Sequence, residues 1–224
     1  MNIHYFGHSV VYLETSTAKI VIDPFIEGNP KCPIGVDDIQ PDFVILTHAH
    51  GDHWGNTLEY AKRGATVLST AEIVGYAQKL EPKIQGRPMN NGGAALLPFG
   101  KLKFTTAWHS SSFPDGTYGG TPMGVLLEID GKRIHHAGDT ALFSDLGMLR
   151  KLNVDVSFLP IGDNFTMGPD DALEAVELIK PKLVVPIHYD TFGLIEQDGD
   201  RFVSRAENLG VKGLALKPGG KLEL

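Results

Sequence analysis

Residues 43–53 read FVILTHAHGDH, an apolar run that ends in three histidines and an aspartate within six positions. The run is rich in β-branched and aromatic residues, which predicts a buried strand. The loop that follows carries His48, His50, Asp52 and His53. Close imidazoles repel one another once protonated, and a bound metal ion keeps them neutral. The spacing therefore predicts a metal-binding loop at the end of a strand.

Composition limits the classes of function. The chain has 224 residues, of which 42% are hydrophobic, so we expect a single domain over residues 1–224 with an ample core. The formal net charge of −7 provides no basic surface for nucleic acid. Cys32 is the one cysteine, which excludes an intramolecular disulfide and fits a reducing compartment. No signal-peptide pattern and no apolar run of ~20 residues is present, so we expect a cytoplasmic protein without membrane contact.

Short strand-like runs alternate with helical patterns along the chain. The first three runs predict an antiparallel meander, and Asp130-Gly131 predicts a hairpin turn between two later strands. We predict helices over about 54–63 and 70–80, over 169–180 and at 203–210, and a loop with one short strand over 86–100. The predicted strands are NIHYF (2–6), VVYLE (10–14), KIVID (19–23), FVILT (43–47), ATVLS (65–69), KLKFTTAW (101–108), GVLLEID (124–130), KRIHHAG (132–138), VSFLPI (156–161) and KLVVPI (182–187), and the chain closes with GLAL and KLEL. This order suggests two facing sheets with helices outside.

Three more potential ligands follow strands. His109 comes after FTTAW, Asp139 after IHHAG and His188 after VVPI, so four strands in all run into a histidine or aspartate. Because strand ends in layered α/β folds form one rim, ligands distant in sequence can converge there. Seven ligands are too many for one tetrahedral ion and suit two ions about 3.5–4 Å apart.

Several motifs resemble the metallo-β-lactamase superfamily. These are HAHGDH at 48–53 with the later His109, Asp139 and His188, and the blocks GHS (7–9), WHSS (108–111), AGDT (137–140), LPIGDNFTMGP (159–169) and PIHYDTF (186–192). The blocks are similar to a family of metal-dependent hydrolases close to the ascorbate-6-phosphate lactonase-like group. The resemblance extends from Gly7 to about Phe192, and it implies an α/β four-layer αββα sandwich with a binuclear site at one edge of two facing mixed sheets.

The resemblance also implies a division of the ligands between two ions. The first ion would be bound by His48, His50 and His109. The second would be bound by Asp52, His53 and His188, with Asp139 bridging the two. Mixed nitrogen and oxygen ligation favours Zn²⁺, while Mn²⁺ or Fe²⁺ would also fit such a site.

This ligand set predicts a hydrolase. A hydroxide shared by the two ions would attack a polarised carbonyl or phosphoryl group of a small-molecule substrate, and Asp52 could orient that hydroxide. The ligands alone do not choose between an ester, a lactone, an amide and a phosphodiester. Two alternative functions stay open, a non-catalytic metal-binding sensor and a nuclease or phosphodiesterase that acts on nucleotides. The oligomeric state also stays open, and a homo-oligomer is possible.

Related activities on this fold lack support in the sequence. A flavodiiron oxygen reductase usually has glutamate where this chain has His50, and it carries a flavodoxin domain. A glyoxalase II-like thioesterase would have a helical C-terminal domain, whereas 36 residues follow His188. A tRNA-processing nuclease of the superfamily would normally carry a basic arm, which the net charge disfavours.

The roles of the other histidines are less determined. His8, in the turn GHS, could act on the substrate as a proton donor or anion ligand, or could orient a metal ligand from behind. His135 and His136 are predicted to be hydrogen-bonded core residues, and one of them could contact the site. Trp54 and Phe192 are predicted to pack. Residues 163–166 could line the rim of the site or form a turn before the helix at Pro169.

Overall fold

Two seven-stranded β-sheets face each other in a computed structural model that describes residues 1–224. The first sheet has the order β14-β1-β2-β3-β4-β5-β6, and the second has the order β13-β12-β11-β10-β9-β8-β7. The strands are β1 (Asn2–Tyr5), β2 (Val11–Glu14), β3 (Lys19–Ile22), β4 (Phe43–Ile45), β5 (Thr66–Thr70), β6 (Gly86–Met89), β7 (Ala94–Leu97), β8 (Gly100–Thr106), β9 (Met123–Ile129), β10 (Lys132–His136), β11 (Val156–Pro160), β12 (Leu183–Ile187), β13 (Lys212–Gly213) and β14 (Lys221–Glu223).

Each sheet combines antiparallel and parallel pairing. In the first sheet β1, β2 and β3 form the expected antiparallel meander, and β3 to β6 run parallel. In the second sheet β9 and β10 form a hairpin whose turn residues, Asp130 and Gly131, both have positive φ, as a type I′ turn requires. Strands β10, β11 and β12 then run parallel. The parallel segments bring the ends of β4, β10 and β12 to the rim where the predicted ligands begin.

Five α-helices and three 3-10 segments cover the outer faces. The helices are α1 (Gly51–Trp54), α2 (Thr57–Lys62), α3 (Ala71–Leu80), α4 (Pro169–Ile179) and α5 (Gly199–Asn208), and the 3-10 segments are Val36–Asp38, Ser144–Leu152 and Gly193–Ile195. Helices α1 to α3 pack on the first sheet, through side chains such as Trp54, Tyr60 and Ile73. Helices α4 and α5 pack on the second, through side chains such as Val176 and Phe202.

The central core lies between the sheets. It contains Ile3, Leu13 and Ile20 from the first sheet and Phe104 and Phe158 from the second, all fully buried. Burial of aliphatic and aromatic side chains on both inner faces is the main free-energy term that holds the sheets together. The layer order is helix, sheet, sheet, helix, which confirms the predicted fold class. No helix of the structure has the length and apolarity that crossing a lipid bilayer requires.

The structure corrects several element boundaries. In place of the helix predicted over about 54–63 there are two short helices, α1, which begins earlier, and α2. Gly55, with a φ of +37°, breaks the chain between them. The stretch 86–100 contains two strands, β6 and β7, where one was predicted. The last helix begins at Gly199 because Asp198 caps it, its side chain accepting a hydrogen bond from the Arg201 N–H at 2.9 Å. The 3-10 segment Ser144–Leu152 was not predicted.

Candidate metal centre

The predicted ligands lie just after the ends of four strands, at one edge of the facing sheets. His48 follows β4, His109 follows β8, Asp139 follows β10, and His188 follows β12 directly. The short helix α1 begins at Gly51, so Asp52 and His53 lie on its first turn while His48 and His50 precede it. The structure therefore brings all seven predicted residues together at the rim of the facing sheets.

One group consists of His48, His50 and His109, whose nearest ring nitrogens all lie within 4.8 Å of one another. His48 Nε2 lies 3.0 Å from His50 Nδ1. The three rings stand almost perpendicular to one another, with centroids 4.6–5.1 Å apart. Three imidazoles that present nitrogens to a common point in this way are suited to one divalent ion.

The second group contains Asp52, His53 and His188, as predicted, and also His8. His188 Nε2 lies 4.0 Å from Asp52 Oδ2. The rings of His53 and His188 are stacked with centroids 5.8 Å apart. This group offers two nitrogens and a carboxylate oxygen to a second ion, with the His8 ring against it.

Asp139 lies between the two groups. Its Oδ2 is 3.9 Å from His48 Nε2 and 3.5 Å from His109 Nε2, both of the first group. The same oxygen is 3.1 Å from His188 Nε2, and Oδ1 is 3.3 Å from His53 Nε2. The carboxylate of Asp139 thus faces ligands of both groups, as a bridging ligand would.

The residues present fit a metal centre. Two ligand atoms bound to one Zn²⁺ at about 2.1 Å in tetrahedral geometry lie roughly 3.3 Å apart, close to the nitrogen–oxygen distances around Asp139. In addition, His53 Nε2, Asp139 Oδ1 and both ring nitrogens of His188 are buried and have no hydrogen-bond partner. Leaving such groups without a partner costs free energy, and native proteins rarely leave them so. A divalent cation would satisfy the three that point into the centre.

Asp23 supports both groups from behind, and sequence reasoning missed it. Its buried carboxylate accepts from His53 Nδ1–H at 2.8 Å and from the Thr47 hydroxyl at 2.7 Å. Because that hydroxyl proton goes to Asp23, the Thr47 oxygen accepts from His48 Nδ1–H, 3.0 Å away. One carboxylate thereby fixes the tautomers of His48 and His53, so that both Nε2 lone pairs face the centre. The signal was present, because KIVID also ends in an acid at a strand end.

His8 lies behind Asp52. Its buried ring places Nε2 3.0 Å from Asp52 Oδ2 and Nδ1 2.9 Å from the hydroxyl oxygen of Thr191. The backbone carbonyl of His8 also accepts from the His188 N–H at 2.7 Å, which ties the first hairpin to the end of β12. This geometry favours the second of the two predicted roles, orientation of a metal ligand. A direct role on the substrate stays a prediction.

Three positions around the centre have unusual backbone conformations. His8, Asp23 and His188 adopt φ values of +55°, +49° and +53°, in the left-handed region that residues other than glycine rarely enter. Each such residue costs of order 1–3 kcal/mol and persists where the surroundings determine it. All three contact a ligand or are one, so three of the nine non-glycine residues with positive φ lie at the site.

His135 and His136 are buried and hydrogen-bonded in the core, as expected. His135 Nδ1 lies 2.8 Å from the Ser157 hydroxyl. His136 accepts from the Gly138 N–H at Nδ1 and donates from Nε2 to the Ser9 carbonyl, at 3.1 and 2.9 Å. His136 therefore connects the turn that carries His8 with the turn that carries Asp139, without contacting either ligand side chain.

The electrostatics of the centre favour the charge states that bind metal. Burial lowers the pKa of His48 and of His109, which keeps both imidazoles neutral. Burial opposes ionisation of Asp139, but the neighbouring His188 and His53 hold its pKa well below the usual range. For His53 burial is outweighed by the carboxylates of Asp139 and Asp23, which raise its pKa. His53 is therefore the one ligand of the centre from which an ion would displace a proton on binding.

The centre opens toward solvent on one side. The side chain of Asp52 is 30% exposed and that of His109 is 13% exposed, while those of His48 and His53 are fully buried. Trp54 is buried and packs on Phe113, as predicted. Phe192, predicted to pack, does contact His8, with ring centroids 5.6 Å apart, but it remains 41% exposed. Residues 163–166 form a turn, in which Asp163 N–H donates to the Met167 carbonyl.

Comparisons with known proteins agree with this geometry. The family profile described as "Beta-lactamase superfamily domain" matches residues 2–188. The chain belongs to this superfamily. A UPF0173 metal-dependent hydrolase of Thermus thermophilus is 55% identical over 224 residues, covering 100% of this chain and 99% of that protein. A UPF0173 protein of Staphylococcus aureus is 48% identical over 230 residues and is covered completely.

A solved structure has the same fold. Igni18, described as a novel metallo hydrolase from the archaeon Ignicoccus hospitalis, superposes with a TM-score of 0.89 at 37% identity, over 100% of this chain and 98% of that one. These matches confirm the resemblance to the metallo-β-lactamase superfamily, and they assign the chain to the UPF0173 group within it.

Proposed function

We propose that this member of a family of metal-dependent hydrolases holds two divalent ions, Zn²⁺ in the native protein, and cleaves a small ester, lactone or phosphodiester. The observation that carries the proposal is the set of buried atoms without partners at His53, Asp139 and His188, which face one another at ligand-to-ligand distances. The names of the UPF0173 relatives, metal-dependent hydrolases, support the same activity.

The ions would supply Lewis-acid activation of the substrate oxygen and a water of lowered pKa. The chain's own residues prepare the centre for them. Asp23 and Thr47 hold the rings of His48 and His53, and Asp139 faces both groups. Asp52 has its carboxylate on the open side, where we propose that it binds the second ion and also orients the attacking water.

Nitrogen and oxygen donors without a thiolate favour Zn²⁺, and supply in the cell would decide between it and Mn²⁺ or Fe²⁺. Cys32, the one cysteine, is half-buried beside the Ile34 carbonyl and is in none of the ligand groups. We further propose a small-molecule substrate rather than nucleic acid, because the net charge is −7, and a reducing, cytoplasmic compartment.

Turnover by the metal-loaded protein tests the proposal. We expect hydrolysis of p-nitrophenyl esters, of a simple lactone or of bis-p-nitrophenyl phosphate, and its loss in the variant in which both His48 and His50 are replaced by Ala. Two bound ions without turnover of any of these compounds would point to a metal-binding sensor instead.

A second experiment separates the two roles of His8. If His8 orients Asp52, then His8→Ala should weaken binding of one ion about 10- to 100-fold, as loss of a supporting residue typically does. If His8 acts on the substrate, the variant should keep both ions and lose about 100-fold in kcat. His4→Ala is the matched control, because His4 lies on the same hairpin and hydrogen-bonds Glu14.

A further inference from the structure

Three of the phenylalanine and tryptophan side chains are unusually exposed. The chain has 11 phenylalanines and two tryptophans. Of these, Trp108 is 65% exposed, Phe165 is 53% exposed and Phe192 is 41% exposed, whereas the other ten are buried or partly buried. Burial of such a side chain stabilises a fold by about 1.5–3 kcal/mol. At these three positions that stabilisation is largely missing, although the fold buries most of its phenylalanines and tryptophans. All three lie in segments that carry or support metal ligands.

Trp108 and Phe165 are held by the same residue beside Asp139. The Trp108 N–H donates to the Thr140 hydroxyl at 3.0 Å, and Trp108 is followed directly by His109. The turn of Phe165 is fixed to the backbone of Thr140, whose carbonyl accepts from the Met167 N–H at 3.0 Å. The backbone segments of both aromatic residues are therefore fixed to the residue that follows Asp139.

The turn of Phe165 also adjoins the loop that carries Phe192. A Cβ added at Gly162, just before the turn, would lie 2.2 Å from the His188 carbonyl and 3.0 Å from Ile195. The loop after His188 places Phe192 against His8 and Phe25, with ring centroids 5.6 and 6.4 Å apart. Trp108, Phe165 and Phe192 thus lie on adjoining loops that follow strands β8, β11 and β12 of the second sheet, and we name these three residues the aromatic arc.

The segments that carry the ligands and the aromatic arc contain no basic residue. None of the chain's 20 lysines and arginines lies in the segments that carry the ligands or the arc, which are 46–56, 107–122, 137–144, 161–168 and 188–200. The same segments contain acids that are not ligands, among them Asp115, Asp163 and Glu196. Lys31 and Lys217 line a cavity of about 790 Å³ that includes His8 and none of the seven ligands. Sites for phosphorylated substrates normally place Arg, Lys or a free helix N-terminus on the phosphate.

We propose that the substrate is an uncharged carboxylic ester or lactone whose apolar group lies on the aromatic arc. The inference rests on the proposed hydrolase function and narrows it. Aromatic faces without nearby cations favour an alkyl or aryl group, and the acidic residues repel a second negative charge. Phosphodiesters are disfavoured on the same ground, although bound metal ions would still attract an anion.

A chain-length series tests the proposal. We compare kcat/KM of the metal-loaded protein for p-nitrophenyl acetate, butyrate and octanoate and for bis-p-nitrophenyl phosphate. A buried methylene contributes up to ~0.8 kcal/mol, so partial burial of six should raise kcat/KM for octanoate over acetate at least about tenfold. The Trp108→Ala/Phe165→Ala double variant should lower this ratio toward one. Leu96→Ala, which removes an exposed apolar side chain on β7, is the control that should keep the ratio.

Fluorescence provides a readout that does not depend on turnover. Trp108 is the exposed tryptophan and Trp54 the buried one, so acrylamide should quench mainly Trp108. Methyl octyl ether, which is uncharged and not hydrolysed, should protect Trp108 from quenching and shift its emission to shorter wavelength. The Trp108→Phe variant should lose this response, which assigns the signal.

The outcomes separate the inference from the function on which it rests. Ester hydrolysis without chain-length dependence, or turnover of the phosphodiester alone, would overturn the substrate class and leave the hydrolase proposal standing. A dimer that Trp108→Ala dissociates, with an unchanged chain-length ratio, would assign the arc to a second copy of the chain. No turnover of any compound with two ions bound would overturn the proposed function, and the inference with it.

Discussion

At the scale of single residues, the ligands could be found from sequence and their supporting residues could not. The close spacing of histidines in the sequence indicates His48, His50 and His53 as ligands. Their positions just after predicted strands indicate His109, Asp139 and His188. Asp23 and Thr47 matter through two hydrogen bonds of 2.7 and 2.8 Å that form only when β3 and β4 pair in parallel. Lone acids at strand ends are common, so only the pairing shows that this one supports both ligand groups.

Asp23→Asn tests this supporting role. The Thr47 hydroxyl and His53 Nδ1–H both donate to Asp23 Oδ2, and the Thr47 backbone N–H donates to Oδ1 at 2.8 Å. An amide replaces one of these two acceptor oxygens by an NH₂ group, so at least one of the three donors loses its acceptor. We expect one ion to bind 10- to 100-fold more weakly, measured by competition with a chelating dye. Asp42→Asn is the matched control, because Asp42 accepts from the Lys19 backbone instead. Equal affinities in the two variants would remove Asp23 from the support of the site.

We expect His135 to contribute to the loss of folding stability at acidic pH. Burial, together with the adjacent His136, lowers the pKa of His135 from 6.5 to about 3. Below pH 6.5 His135 therefore binds a proton in the unfolded chain but not in the folded chain. The free energy of unfolding falls as the pH drops from 6.5 toward 3. At pH 5 the loss amounts to about 2 kcal/mol. In His135→Leu the difference in unfolding free energy between pH 7 and pH 5, from urea titrations, should shrink by about that amount. An unchanged difference would contradict the assignment.

At the scale of elements, most strands and three helices could be predicted because their patterns are local. The break between α1 and α2 could not, because its cause lies in contact with another segment. Gly55 has a φ of +37°, and a Cβ there would lie 2.3 Å from the Pro24 carbonyl oxygen. The turn after β3 therefore packs directly against the turn between the two helices. The hydrophobic periodicity of residues 51–63 contains no information about that contact. The same contact fixes the position of the helix that carries Asp52 and His53.

Two glycine variants measure this constraint. Gly55→Ala should destabilise the protein by at least about 2 kcal/mol, because the methyl group meets backbone atoms and the positive φ is strained. Gly75→Ala, within α3, meets nothing within 4 Å and should stabilise by up to about 1 kcal/mol through helix propensity. Thermal and urea unfolding of the metal-free proteins would show the difference. A neutral Gly55→Ala would mean that the turn after β3 can move away.

At the scale of the whole molecule, the layer order could be predicted but the strand order could not. Alternating apolar runs and helices indicate two sheets with helices outside. The pairing of β14 with β1 joins the two ends of the chain, with Leu224 N–H donating to the Met1 carbonyl at 3.1 Å. Such a contact depends on the packing of every intervening element. The convergence of the ligands could be predicted because strand ends in layered α/β folds form one rim. Their division into two groups was implied by the family resemblance.

The most direct test of the account is the metal content of protein purified without added metal, by elemental mass spectrometry. The account predicts two equivalents of a divalent transition metal per chain, mainly zinc, because there are two groups of converging ligand atoms and Asp139 faces both of them. Binding to the folded state should also raise the melting temperature above that of chelator-treated protein. Less than one equivalent of any transition metal per folded chain would contradict the binuclear centre.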